Sequence, residues 1–201
     1  FEEAATIGQA GVLALQGITE PEPPGGNSRV LINGAGGSVG SFAIQIAKSY
    51  GAEVTAVDHP DKFNFMTSLG ADHTISYLDQ DFTKLGVKYD IILDVIGRKS
   101  VWAYQRALAP HGRYRMVGGP LRKILGIALF GFLYSKLSSK SIGLLLGRPN
   151  DPSDMEFLAE LYDIKKVRPY VSTVYTLDRV QEGLWELYNG RVQGKIVIQM
   201  D

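Results

Sequence analysis

Apolar positions along this chain switch repeatedly between short unbroken runs and helically spaced stripes. Val30, Leu31 and Ile32, between Arg29 and Asn33, form an unbroken run of the kind that suits a strand buried on both faces. Val39, Phe42, Ala43, Ile46, Ala47 and Tyr50 fall on one face of a helix predicted over 38–50, and Gly51 provides its stop. Further strands are predicted at 53–57, 73–77, 89–93 and 113–117, with helices over 61–69, ended by Gly70, and over 100–108. Residues 141–146 offer a sixth strand. Strand, helix and strand repeated in this way require right-handed crossovers, so the expected class is α/β, a doubly wound parallel sheet of about six strands.

The flanks differ from this middle. An opening helix over 4–17 is separated from the first strand by a Pro/Gly linker, Pro21 to Gly26. Beyond Arg148-Pro149-Asn150 the pattern predicts a helix over 155–166, an extended segment at 171–175, a helix over 177–189 and a strand at 195–199, with no evident continuation of the sheet. The chain thus divides into an opening helix (1–20), a sheet domain (21–150) and a C-terminal segment (151–201).

The chemistry concentrates between the first strand and the first crossover helix, at Gly34-Ala35-Gly36-Gly37-Ser38-Val39-Gly40. Glycines there permit a tight turn and a close approach of backbone to a diphosphate, which would rest on the N–H groups and positive dipole end of the following helix. Asp58, at the end of the second strand and about 20 residues on, completes the pattern of a Rossmann-type dinucleotide site. Three rival motifs are weaker. Gly36-Gly37-Ser38-Val39-Gly40 also spells a hydrolase nucleophile elbow with Ser38 as nucleophile, but His59, His73 and His111 are poorly placed to complete a triad. A P-loop would need Lys and then Ser or Thr after the last glycine, where Ser41 and Phe42 stand. Tyr162 and Lys166 have the Y-x-x-x-K spacing of a proton-donor pair, yet Phe157, Leu158, Leu161 and Tyr162 form an apolar helix face, so packing is the expected role.

Composition narrows the field. The 21 basic and 21 acidic residues give zero formal charge, so no footprint for nucleic acid or an anionic membrane is expected. There is no cysteine, which removes disulfides and thiolate-bound zinc, and no signal peptide is visible after Phe1-Glu2-Glu3; a cytoplasmic enzyme is the expectation. The apolar stretch from Ile124 to Tyr134 is well short of the roughly 20 residues of a membrane span, so a buried helix or a subunit interface is expected there.

Taken together, Ala10-Gly11, the run from Val30 to Gly40, Ile46-Ala47-Lys48, Gly51-Ala52-Glu53-Val54, Leu69-Gly70-Ala71-Asp72, Tyr77, Asp94-Val95-Ile96-Gly97, Arg148-Pro149-Asn150 and Gly194-Lys195-Ile196-Val197 resemble the medium-chain dehydrogenase/reductase superfamily, in its zinc-independent quinone oxidoreductase-like branch. The resemblance implies a Rossmann cofactor domain followed by the C-terminal strip of a GroES-like catalytic lobe, whose N-terminal part is missing, with the opening helix at the hinge between them. It implies NAD(P)H-dependent hydride transfer to a small carbonyl, enone or quinone, and a homodimer in the full-length protein. Zinc-dependent relatives carry a Cys ligand where Gln9 stands, so no metal is expected.

Gly34, Gly37, Ser38, Val39 and Gly40 are assigned to the diphosphate, and Asp58, Lys62 and Tyr77 to the adenosine end. Gly97 and Gly118, at the ends of the fourth and fifth strands, are assigned to the nicotinamide half. Asp58 favours NAD(H), since a carboxylate accepts from the ribose hydroxyls and repels a 2′-phosphate. Lys62 and Tyr77 match an adenosine-phosphate site in the resemblance, His59 adds a further donor, and together they tip the balance slightly to NADP(H). No catalytic acid is assigned. Two other classes stay open: a cofactor-binding sensor or interaction module without turnover, and the serine hydrolase. The segment over 121–137 is expected to cover the cleft or to bury against a second chain.

Overall fold

The computed structural model describes residues 2–148 and 151–200. Pro149 and Asn150 of the Arg-Pro-Asn motif lie outside the described residues. The chain opens with α1 (Glu2–Thr19) and then alternates β1 (Arg29–Asn33), α2 (Ser38–Ser49), β2 (Glu53–Asp58), α3 (Phe63–Ser68) and β3 (His73–Ser76). It continues with β4 (Tyr89–Asp94), α4 (Val101–Ala107), β5 (Leu108–Met116), α5 (Leu121–Gly126), α6 (Phe132–Leu137) and β6 (Ser141–Leu144). All six strands form one parallel sheet in the order β3-β2-β1-β4-β5-β6, the doubly wound arrangement expected from the alternation.

The unbroken apolar runs are explained by burial on both faces. Along β1, Val30 and Ile32 enter one core with α1 and α2, while Leu31 enters the other with α4. Strand β4 divides in the same way, Ile91 and Leu93 against Ile92. Helix α2 lays Phe42, Ala43, Ile46 and Ala47 on the sheet.

Several boundaries differ from the pattern-based expectation. The second helix breaks into a 3-10 turn, Pro60–Lys62, and α3, because Pro60 sits in the first turn and His59 caps it by accepting the Asp61 amide. Strand β5 begins at Leu108 rather than Arg113, following α4 without a loop. The segment expected to be a buried helix or an interface is helical from Leu121 to Leu137, with a π segment at Ile127–Gly131, but only Ile127 and Gly131 are buried.

The C-terminal segment forms α7 (Pro152–Asp163), β7 (Val171–Thr176), α8 (Val180–Tyr188) and β8 (Lys195–Gln199), with β7 and β8 paired in a sheet of their own. Two buried glutamines fasten it to the larger sheet's helices. Gln16 of α1 donates to the Asp154 carboxylate and the Arg148 carbonyl and accepts the Arg148 amide. Gln45 of α2 exchanges two bonds with the Arg168 backbone. Tyr162 does not enter the core that Leu158 and Leu161 join: its hydroxyl donates to Glu3, and the Arg168 guanidinium lies 4.6 Å from its ring centre.

Asp81 joins the turn Phe82–Lys84 to the loop before α4 through Lys99, at 2.8 Å. Burial works to raise its carboxyl, but hydrogen bonds from Lys99 and Thr83 outweigh this and lower it from 3.8 to about 2. Its contribution is therefore complete above the unfolded value and fades as pH falls from about 4 towards 2. We predict that Asp81→Asn costs about 1 kcal/mol at neutral pH, allowing for the partly exposed pair, and that the cost vanishes near pH 2. Urea unfolding across this range checks it; a pH-independent cost would contradict the assignment.

Candidate cofactor site

At the carboxyl end of β1 the chain makes two steps that only glycine permits. Gly34 has φ +88, and Gly34 and Ala35 both donate their amides to the Val57 carbonyl, which pins the turn to the end of β2. Gly40 lies so close to the turn that a Cβ there would sit 2.4 Å from Ala35 Cα and from the Gly34 carbonyl oxygen. Gly37 has ordinary room, with its nearest neighbour at 3.5 Å. It occupies the position before α2, and no side chain caps that helix. The first amides of α2, those of Ser38, Val39 and Gly40, therefore face the loop without an intrahelical acceptor, as an anion requires. Val39 packs its side chain against the core and offers the loop only its amide.

The hydroxyl of Ser38 donates to the Gly194 carbonyl at 3.0 Å, and the Gly194 amide donates to the Gly36 carbonyl at 3.0 Å. The C-terminal segment is thereby bonded to the glycine loop, a contact that no local pattern announces. Ser38 also lacks the left-handed backbone of a nucleophile elbow: the non-glycine residues with positive φ are His111 and Lys165 among those described. His59 and His73 pair with Asp61 and Glu53 instead, and the hydrolase alternative loses its geometry.

At the end of β2, Asp58 Oδ2 accepts the Gly36 amide at 2.8 Å and Oδ1 accepts the His59 amide at 2.8 Å. Lys62 places its ammonium 3.9 Å from Asp58 Oδ1 and its stem over Gly36, where a Cβ would meet Lys62 Cδ at 2.5 Å. Both side chains are nearly buried. The carboxylate expected to point only at a ribose is thus tied to the loop, and its charge is compensated. Tyr77, half exposed, and His59 stand beside the pair with ring centres 6.1 Å apart. All the residues assigned to the adenosine end therefore converge.

A third group organises the next strand end. Asp94 is fully buried and accepts from Asn33 Nδ2, from the Ile96 and Gly97 amides and from the Tyr114 hydroxyl. It binds the end of β1 to the turn that carries Gly97. Gly97 has φ +60, and a Cβ there would lie 2.4 Å from the Gly118 carbonyl oxygen. Gly118 itself has room, whereas its neighbour Gly119, with φ +153, is hemmed in by Met116 and by the Ile96 and Gly97 carbonyls.

A cleft of about 480 Å³ opens between α1 and the segment after β6, lined by Gln9, Val12, Leu13, Gly147, Arg148 and Met155 among others. Gln9 brings a neutral amide to it, and the described residues contain no cluster of three His, Cys, Asp or Glu side chains. The dinucleotide site does fit its group: a glycine turn, free helix amides and a polar adenosine end lie along one sheet edge.

Residues 69–198 match the family described as zinc-binding dehydrogenase. The chain belongs to that family. The chain is 27% identical over 209 residues to the chloroplast envelope quinone oxidoreductase homolog of Arabidopsis thaliana, covering 98% of the chain and 61% of that protein. It is 33% identical over 180 residues to an NAD-dependent alcohol dehydrogenase of Sulfolobus acidocaldarius, covering 85% of the chain and 50% of the relative. The quinone oxidoreductase structure from Coxiella burnetii superposes with a TM-score of 0.83 at 27% identity, over 98% of this chain and 60% of that one. The chain thus spans about three fifths of the length of such relatives, and its resemblance to quinone oxidoreductase-like medium-chain dehydrogenases is borne out.

The two glycines separate a steric from a ligand role. Gly40→Ala is expected to destabilise the domain by about 1–3 kcal/mol through overpacking and to abolish nucleotide binding. Gly37→Ala should leave stability within about 0.5 kcal/mol. Thermal melts with and without NADPH read both; equal destabilisation by the two variants would contradict the geometry.

Proposed function

We propose that this chain is the cofactor-binding part of an NAD(P)H-dependent oxidoreductase that delivers hydride to a small carbonyl, enone or quinone without zinc. The observation that carries the proposal is the uncapped start of α2, reached through a glycine turn that Asp58, paired with Lys62, holds by the Gly36 amide. In this reading the amides of Ser38, Val39 and Gly40 take the diphosphate, and the Gly97 and Gly118 turns border the nicotinamide half. The bound cofactor supplies the hydride, and the protein supplies orientation. Val12 and Leu13 give the substrate end of the cleft an apolar wall, which suits an enone or quinone better than a charged substrate.

Within this proposal the cofactor is NADP(H). Asp58 already accepts two backbone amides and faces Lys62, which supports an offset of its repulsion of a 2′-phosphate, and Lys62, His59 and Tyr77 are the side chains that would donate to that phosphate. Lys62→Ala should weaken NADPH about tenfold or more, the value of one charge-assisted hydrogen bond, and NADH by much less. Calorimetric titration with both nucleotides decides this; tighter NADH than NADPH in the unaltered chain would overturn the preference.

Cofactor binding without turnover is a second reading, supported by one feature: the described lining of the cleft offers no side chain that titrates near neutral pH. NADPH oxidation by the protein containing this chain, assayed with a quinone, an enone and an aldehyde, separates the two. Turnover with any of them supports the oxidoreductase; tight binding with no turnover on all three favours the sensor.

A further inference from the structure

The neutral charge of the whole chain conceals a strong local imbalance. From Val95 to Asn150 the sequence contains ten Lys and Arg residues and no Asp or Glu, although the chain has 21 of each sign. Of these, Lys99 pairs with Asp81, Arg148 pairs with Glu20, Asp151 and Asp154, and Arg113 is buried, which leaves Arg122, Lys123 and Lys136 as the cations of the helical ridge that follows β5. The same stretch holds the helical ridge from Leu121 to Leu137. Ile127 is buried against the sheet, and Gly131 lets the helix approach the Ile142 carbonyl, where a Cβ would fall at 2.6 Å. Leu121, Leu125, Leu129, Phe132, Leu133 and Leu137 point away from that contact, each at least 50% exposed. Arg122 and Lys136 stand at the two ends of this apolar row, both exposed, and Arg122, Lys123 and Lys136 have no acidic partner among the described residues.

We propose that this ridge is a docking surface for an anionic lipid bilayer, lying flat in the interface with its leucines inserted and its basic ends on the headgroups. A helix apolar on both faces, one seated on its own sheet and the other flanked by unpaired cations, matches what such an interface binds. The ridge is about 25 Å long at 1.5 Å per residue, and no helix among the described residues is long and apolar enough to cross a membrane. A second copy fits this face poorly. An isologous contact would set Arg122, Lys123 and Lys136 against their own counterparts with no acidic residue to relieve them. The outer edge of β6 is also engaged: Ser135 Oγ accepts the Ile142 amide at 2.8 Å and reaches its carbonyl.

Co-sedimentation of the chain with vesicles tests the proposal. Binding is expected to phosphatidylcholine mixed with phosphatidylglycerol and not to phosphatidylcholine alone. Arg122→Gln and Lys136→Gln should each weaken it about fivefold, the effect of one cation at an anionic surface. Leu125→Ser with Leu129→Ser should weaken it at least tenfold, with circular dichroism and NADPH affinity unchanged because both leucines are exposed. Equal binding to neutral vesicles, or full binding by the leucine double variant, would overturn the proposal. So would a dimer in light scattering that the leucine double variant dissociates, because a second copy would then occupy the ridge.

Discussion

The approach of α2 to the end of β1 is the constraint on which the rest of the molecule turns. Without a side chain at Gly40, the helix can start directly beneath Ala35 and Gly34. That placement lays Phe42, Ile46 and Ala47 onto the sheet and at the same time directs the helix's unbonded amides outward from the strand end. One close contact thus serves both the core and the ligand edge.

Around that contact, the ends of β2 and β4 are each held by a carboxylate that accepts backbone amides. Asp58 closes the glycine turn through Gly36, and Asp94 joins Asn33 to the turn at Gly97. Gly194 bonds to Gly36 and Ser38 from the C-terminal segment. These bonds set the site's shape before any nucleotide arrives, which is what orientation without reorganisation demands. In the proposed reading, the carboxylate at the end of β2 is shared with the protein, and its pairing with Lys62 would make cofactor choice a balance of two charges.

Much of this was legible in the sequence because its causes are local. Unbroken runs such as Val30 to Ile32 report burial on two faces, and the glycine loop reports its own turn geometry. The contacts that join distant segments were not legible: Ser38 with Gly194, Gln16 with Asp154 and Gln45 with Arg168 are side-chain bonds across more than a hundred residues, and no periodicity encodes them. Gly118 and Gly119 both read as turn glycines in the sequence, and only the three-dimensional setting shows that Gly119 is the crowded one. The exposure of the apolar helix from Leu121 in the single chain was not legible either. Hydrophobicity signals a wish to leave water, and says nothing of whether the chain itself supplies the cover.

The central claim is that the first amides of α2 hold the diphosphate of a nicotinamide nucleotide. Amide-resolved NMR during titration with NADPH tests it most directly. The account predicts the largest shifts at Gly36 to Gly40, with a second group around Asp58 and Lys62. Saturable binding that leaves the Ser38, Val39 and Gly40 amides unmoved while other regions shift would contradict it.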